Sequence, residues 1–430
     1  MGLTAALARL ARGAPVPVFA VPGHGGRQRV RALALDPRVE LVDSPRHASV
    51  LLVAGRLPRA LYAPALAVHD QLAPPRHTVV WDAGSSPVFP DATVAEDDAA
   101  ESILGAVPGA GEPPLLLDVD PAPWRGLGPY GHGGKGMTGG TPHGRPLPGR
   151  APDRDGLQLD QLALRVGPFF GAFPPGLALD VKLQGDVVQD VVVVENPFTV
   201  WPGDAVPAAG PLAPFETALH APVAIATLEL ARARHHLAWL GDALRVQGLA
   251  ALGHRAAQLA MTVEADDAGR AALARLVRRV EASQVLRWSL PGMAVEPVVT
   301  ASEGVGPVAR AAGHHEDARL LDPAYERLGF EPVTHERGDA AARWRQRMAE
   351  AGQALALAAA AGTASTTVTG IVESPRGPIT PGSGTPAATL LSLLPRMVEG
   401  MEWGDAVATV VSLDVDLEEA AAVVAAAIDA

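Results

Sequence analysis

Leu177–Asn196, LALDVKLQGDVVQDVVVVEN, decides the architecture of the second half of this chain. Two apolar runs flank Gly185-Asp186, a dipeptide suited to the tight turn of a hairpin. The alternation extends over residues 157–196 and predicts an antiparallel hairpin with one buried face. Upstream the pattern differs. Val16–Val21, Val39–Val42, Val50–Ala54 and Thr78–Trp81 are short runs, apolar on both faces, as in a parallel sheet covered by helices. Leu61–Gln71 serves as a crossover helix. Two sheet types in one chain predict two units, an α/β unit over residues 1–110 and an α+β unit over residues 157–430. Residues 92–114 hold one short helix and then a Pro/Gly linker, and residues 111–156 form a linker loop without periodicity.

Helices fill the rest of the second unit. Residues 215–262 are strongly helical, with Leu228, Ala231, His235, Leu237 and Leu240 on recurring turns. Residues 265–286 form a helix opened by Asp266 and Asp267, and residues 338–361 form a third. In residues 401–430, AVATVVSLDV is strand-like and a helix starts at Leu417. At 430 residues the chain is long enough for two or three domains, and the 48% hydrophobic and 19% charged composition is that of an ordered globular protein. The net charge of −12 and the scarcity of aromatics argue against a nucleic-acid surface. No apolar run reaches the ~18 residues of a membrane span. The N-terminal stretch has the arginines of a first helix and no long apolar core of a signal peptide, which leads us to expect a cytoplasmic protein.

The chain contains no cysteine. Iron–sulfur clusters and nickel–iron centres need thiolates, so their ordinary ligands are missing. We expect no metal and no cofactor. His235-His236 and His314-His315 are adjacent pairs whose side chains point about 100° apart on a helix, which suits no shared ion. Gly23-His24-Gly25-Gly26, after a strand and before a basic helix, suits either an anion at a helix N-terminus or a simple bend. The loop GHGGKGMTGG (131–140) with His132, Lys135 and His143 offers backbone N–H groups to an anion, although Lys135 is followed by Gly136 and the P-loop pattern is not met. A loop lying on a partner subunit or filling a cavity is the alternative. Asp416 and Glu419, three residues apart at the start of a helix, are either a proton-handling pair or acids stabilising a helix N-terminus. Asp414, Glu373 and Arg376 join them as a charge cluster, with Arg376 expected to pair with Asp414 or Asp416.

Four stretches, in order, resemble one family. Ser44-Pro45-Arg46-His47-Ala48 and the following VLLVAGRLPRALYAPALAVHDQLAPPRHTVVWDAG resemble the small, cluster-bearing B subunit of complex I, with Ala83-Gly84-Ser85 at its glycine-plus-cysteine turn. GPFFGAFPPGLALDVKLQGDVVQDV resembles the opening hairpin of the D subunit of complex I and of membrane-bound nickel–iron hydrogenase large subunits. Phe170 stands at or near the place of the histidine that meets the quinone headgroup in complex I. LELARARHHLAWLGD resembles a family helix of the form E-L-x-R-x-x-x-H-L-x-x-L-G. The longest match runs from Gly304 through Arg310, Asp317, Arg319, Tyr325, Arg343, Arg347 and Glu350 to Glu373-Ser374-Pro375-Arg376, and then to Ser412–Glu419. In hydrogenases the last motif ends in two cysteines, which by register fall on Asp416 and Glu419.

The resemblance implies a flavodoxin-like parallel sheet, truncated and cluster-free, fused to a hydrogenase large-subunit-like domain with a helical bundle and an antiparallel hairpin. It implies partners that are integral membrane antiporter-like and quinone-module-like subunits, and a peripheral location on the cytoplasmic face of the membrane. Family scaffold with erased ligands leads us to expect a non-redox scaffold or coupling subunit of a complex I-like or energy-converting hydrogenase-related assembly. A quinone- or small-ligand-binding subunit of an NADH–quinone oxidoreductase-like complex is the alternative.

Overall fold

Helical crossovers make the first sheet parallel and cover it. In a computed structural model that describes residues 14–81, 86–95, 98–106, 149–153, 155–198, 212–290, 305–381 and 385–419, β1 (Val16–Pro22), β2 (Val39–Leu41), β3 (Val50–Ala54), β4 (His77–Trp81) and β5 (Thr93–Ala95) pair in parallel in the order β2-β1-β3-β4-β5. That order is the flavodoxin-like one. All five residues of β3 are buried. Crossovers run through α1 (Gly26–Leu33) and α2 (Tyr62–His69), and α3 (Ala99–Ala106) packs against β4 and β5. The four predicted strands lie where the apolar runs placed them, within one residue at each end. Ala83-Gly84-Ser85 and the loop residues His132, Lys135 and His143 lie outside the described residues.

The predicted hairpin is β8 (Leu179–Gln184) and β9 (Val187–Val193), turning at Gly185-Asp186 with Gly185 at φ 63°. It belongs to a larger antiparallel sheet with β6 (Gly149–Pro152) and β7 (Gln158–Val166), in the order β6-β7-β8-β9. Leu179, Val181, Val188 and Val191 turn one face of the hairpin into the core.

The run expected to be helical over residues 215–262 is three helices: α4 (Ala213–His220), α5 (Ile225–Val246) and α6 (Ala250–Thr262). The chain breaks at Gly248, whose φ of 75° a helix cannot hold. Next come α7 (Asp267–Ala282), α8 (Val285–Trp288), α9 (Gly306–Arg310), α10 (Pro323–Arg327) and α11 (Ala340–Ala360). The side chains of Asp266 and Asp339 cap α7 and α11 by accepting from Gly269 N–H and Ala342 N–H. A short antiparallel pair, β10 (Val372–Ser374) and β11 (Gly377–Ile379), precedes α12 (Pro386–Val398) and α13 (Trp403–Leu413).

Helix α13 corrects the strand expected at AVATVVSLDV. Every residue from Ala406 to Leu413 is buried. A helix buried all round loses its amphipathic period, and its β-branched valines then read as a strand; tertiary packing overrides that propensity. The core of this unit is α5 sandwiched between α6 and α11, with Trp239 and Trp344 in edge contact at 5.4 Å between ring centroids.

Candidate functional site

Charged side chains in α5, α9, α11 and the β10–β11 turn face inward. In α11, Arg343, Gln346, Arg347 and Glu350 recur at intervals of three and four, so one helix face carries all of them. In α5, Glu229, Arg232, His235 and His236 do the same on the opposing surface. Facing helices cannot leave such groups unpaired in a water-poor interior, and the pairing that results is extensive.

Arg310 stands at its centre, fully buried. Its Nε donates to Glu350 Oε1 at 2.8 Å, and its Nη1 donates to Glu373 Oε1 at 2.8 Å and lies 3.0 Å from Asp317 Oδ2. Arg319 grips Asp317 with Nε and Nη2 at 2.9 and 2.7 Å, and its Nη1 reaches Glu229 Oε2 at 3.2 Å. Tyr325 Oη donates to the other oxygen of Glu229 at 2.7 Å. Arg232 joins the two ends, bridging Glu229 to the backbone carbonyls of Glu373 and Ser374. Fork-shaped guanidinium groups make this possible, since each donates in several directions at once. Gly306, with φ 52°, lets α9 start against this turn; a Cβ there would run into the Arg376 carbonyl and Gly377 Cα.

The second half of the lattice surrounds Asp414. This residue ends α13 in the left-handed region, φ 55° and ψ 48°, uncommon for a residue with a Cβ. His235 Nε2 lies 2.6 Å from its Oδ2, Arg347 Nη1 3.5 Å and Arg376 Nε 3.6 Å. Burial alone would raise the Asp414 carboxyl, but Arg376, His235 and Arg347 hold it well below the usual carboxylate range. Burial depresses His235 to about 3, against the pull of Asp414. The imidazole is therefore neutral at pH 7, and since a carboxylate only accepts, its Nε2–H donates to Asp414. Arg376 also donates to the Asp414 carbonyl at 2.9 Å and meets Asp416 Oδ2 at 2.8 Å. It thus takes both of its expected partners. Glu373 pairs instead with Arg310.

Asp416 and Glu419 take different hydrogen-bond partners. Asp416 precedes the helical turn, where its Oδ1 accepts from Glu418 N–H, while its Oδ2 faces Arg376. Glu419 accepts from Ser374 Oγ at 3.5 Å and is buried. Burial pushes Glu419 up to about 7, with Asp416 adding to the effect and Arg376 opposing it. Glu418 is likewise pushed up to about 7 by burial and then by Asp416.

Glu418 links the two units. Its Oε2 accepts from Gly25 N–H at 2.8 Å, 393 residues away, at the start of α1. The Gly23–Gly26 turn sits between β1 and β3, where the flavodoxin-like strand order reverses and open sheets of this type bind their ligands. Here the carboxylate at that helix N-terminus comes from the chain itself. His24 in this turn is buried edge-on against Phe198, and burial followed by the charge of Arg56 lowers it to about 4. His314 is half-buried, and His315 and His47 are exposed.

The geometry coincides with a family match. Residues 292–376 match the respiratory-chain NADH dehydrogenase 49 kDa subunit, the D subunit of complex I. That D-subunit-like segment supplies Arg310, Asp317, Arg319, Arg347, Glu350, Glu373 and Arg376. No curated protein matches the chain. Among solved structures, a chain from the membrane-bound sulfane sulfur reductase, an archaeal respiratory membrane complex, is similar at 17% identity, over 61% of this chain and 98% of its own, with a TM-score of 0.42.

Arg310, Asp317, Arg319, Arg347 and Glu350 carried the resemblance in sequence but were not expected in the site, unlike Glu373, Arg376, Asp414 and Asp416. The signal that would have found them is the 3–4 spacing of charged residues on helices that are otherwise apolar. A nickel–iron centre does not fit this site: the chain has no thiolate, and at the two register positions Asp416 is engaged by Arg376 and Glu419 is bonded to Ser374. Among the described residues, no group of three His, Asp or Glu side chains is arranged to hold a metal ion.

Proposed function

We propose that this chain is a scaffold or coupling subunit of a membrane-bound complex I-like assembly, docking on ion-translocating membrane subunits without carrying electrons itself. One observation carries the reading: the buried lattice neutralises Asp414 and Asp416 with Arg347 and Arg376, where the resemblance to hydrogenases would put two cysteines at Asp416 and Glu419. Such a lattice holds α5, α9, α11 and the β10–β11 turn in one arrangement. Force or charge arriving at one edge is thereby passed to the other through rigid elements. Glu418 and Glu419, both near 7, are able to exchange protons at neutral pH.

The N-terminal sheet, which we take as a truncated relative of the B subunit, docks on the lattice through Glu418 and Arg31. Partners with antiporter-like and quinone-module-like character, and a peripheral site on the cytoplasmic face, belong to the same proposal. It agrees with there being no described helix long and apolar enough to cross a membrane.

The test is purification of the tagged protein from detergent-solubilised membranes of its native host, with mass spectrometry of co-eluting chains and metal analysis of the product. Integral membrane subunits at fixed stoichiometry, with no iron or nickel assignable to this chain, are expected. A protein recovered alone from the soluble fraction would overturn the reading.

A further inference from the structure

A cavity of ≈ 130 Å³ lies between the two units, beside the lattice. Its lining is partly aromatic: Phe19 from β1, Phe170 and Phe173 from the loop before β8, and Trp239 from α5. Phe170 packs edge-on against Phe173 at 5.0 Å. Arg27 and Arg31 of α1 and Asp242 of α5 line the same space.

These charges do not close. Arg31 takes Asp242 with Nε at 2.9 Å and also with Nη2. Among the described residues, Arg27 finds carboxylates at 3.6 Å (Asp242) and 4.0 Å (Asp416), beyond hydrogen-bond reach, and Asp416 is already held by Arg376. The Nη1 atoms of both arginines are buried and, among the described residues, make no hydrogen bond. Burial, and then the charge of Arg31, pull Arg27 below its ordinary value. Arg245 adds a third positive charge around the same Asp242. Asp414, which also borders the space, is spent on Arg347, Arg376 and His235, and Asp43 is exposed to solvent. Two half-satisfied guanidiniums beside an apolar void call for an anion with a hydrocarbon body. The void is close in size to an engineered cavity of roughly 150 Å³ that holds benzene.

We infer that the cavity is a binding site for a small monocarboxylate with one ring or a short chain. Its carboxylate sits on Arg27 and Arg31 and its hydrocarbon body lies among Phe19, Phe170 and Phe173. Asp43 disfavours a second negative charge on the ligand. The inference holds whether or not the chain assembles with membrane subunits, because it rests on this cavity alone.

The test uses the full-length protein at pH 7, with benzoate and its neutral isostere benzamide as probes, followed by calorimetry and by tryptophan fluorescence. Benzoate is expected to bind saturably and about tenfold or more tighter than benzamide, the size of one charge-assisted hydrogen bond. Arg27→Gln should remove that preference. Phe170→Trp, which fills the void and leaves the charges alone, should abolish binding of both probes and serves if Arg27→Gln does not fold. Equal affinity for the two probes, an unchanged benzoate affinity in either variant, or no saturable benzoate binding would overturn the assignment.

Discussion

Replacing Asp414 by alanine removes one carboxylate from among three partners. At an effective dielectric of ~20, each arginine at 3.5 and 3.6 Å attracts it by about 5 kcal/mol. Burial of the carboxylate and of both guanidiniums offsets much of that attraction. The variant, however, leaves Arg347 and Arg376 buried with less compensation. Arg347 keeps its bond to the Leu413 carbonyl and Arg376 keeps Asp416, while His235 loses its acceptor. Breaking a buried pair from one side costs about 3–5 kcal/mol, and the alanine also removes the side chain that tethers the left-handed residue after α13. Equilibrium unfolding in urea, followed by the fluorescence of the chain's seven tryptophans, reads the loss; Trp239 reports from nearby, because its indole N–H donates to the Val411 carbonyl three residues from Asp414. The double variant Asp414→Ala/Arg347→Met should recover part of the loss, since Arg347 is the guanidinium that the single variant leaves without a carboxylate. A loss below about 1 kcal/mol for Asp414→Ala would refute the reasoning, because that is the range of a solvated surface pair.

Further outcomes follow from the same lattice. Glu418 and Glu419 sit near 7 in the folded protein against an ordinary 4.5, so between those values the folded state binds more protons than the unfolded one. Their contribution is therefore fully favourable below about pH 4.5 and is lost as pH rises through about 7; the urea midpoint should fall over that window, and less steeply in Glu419→Gln. Glu418→Ala should accelerate hydrogen exchange at Gly25 N–H, measured by mass spectrometry, while exchange within α11 stays slow. Gly306→Ala forces a Cβ into the Arg376 backbone at a positive φ and should cost about 2–5 kcal/mol, visible as a lowered melting temperature.

Much of the architecture was legible without coordinates. The both-face apolar runs at residues 16–22 and 50–54 specify strands of a parallel sheet, and Gly185-Asp186 between alternating runs specifies a hairpin, because these signals are local. Asp266 marked a helix start, since an N-cap needs only its own next turn. Helix α13 was misread because its burial removes the polar stripe that distinguishes helix from strand.

The site was legible only in part. Sequence alone established that the chain lacks thiolates, that Arg376 has Asp414 and Asp416 as natural partners, and that the D-subunit-like motifs stand in order. Only the tertiary structure decided that Arg310, Asp317, Arg319 and Glu350 belong to the same lattice, that Glu418 caps a helix 393 residues away, and that Arg27 is left short of an anion. The physical reason is range. Turns, caps and periodicity are settled by neighbours a few residues apart, whereas a buried charge is satisfied by whichever group the packed fold brings within about 3 Å.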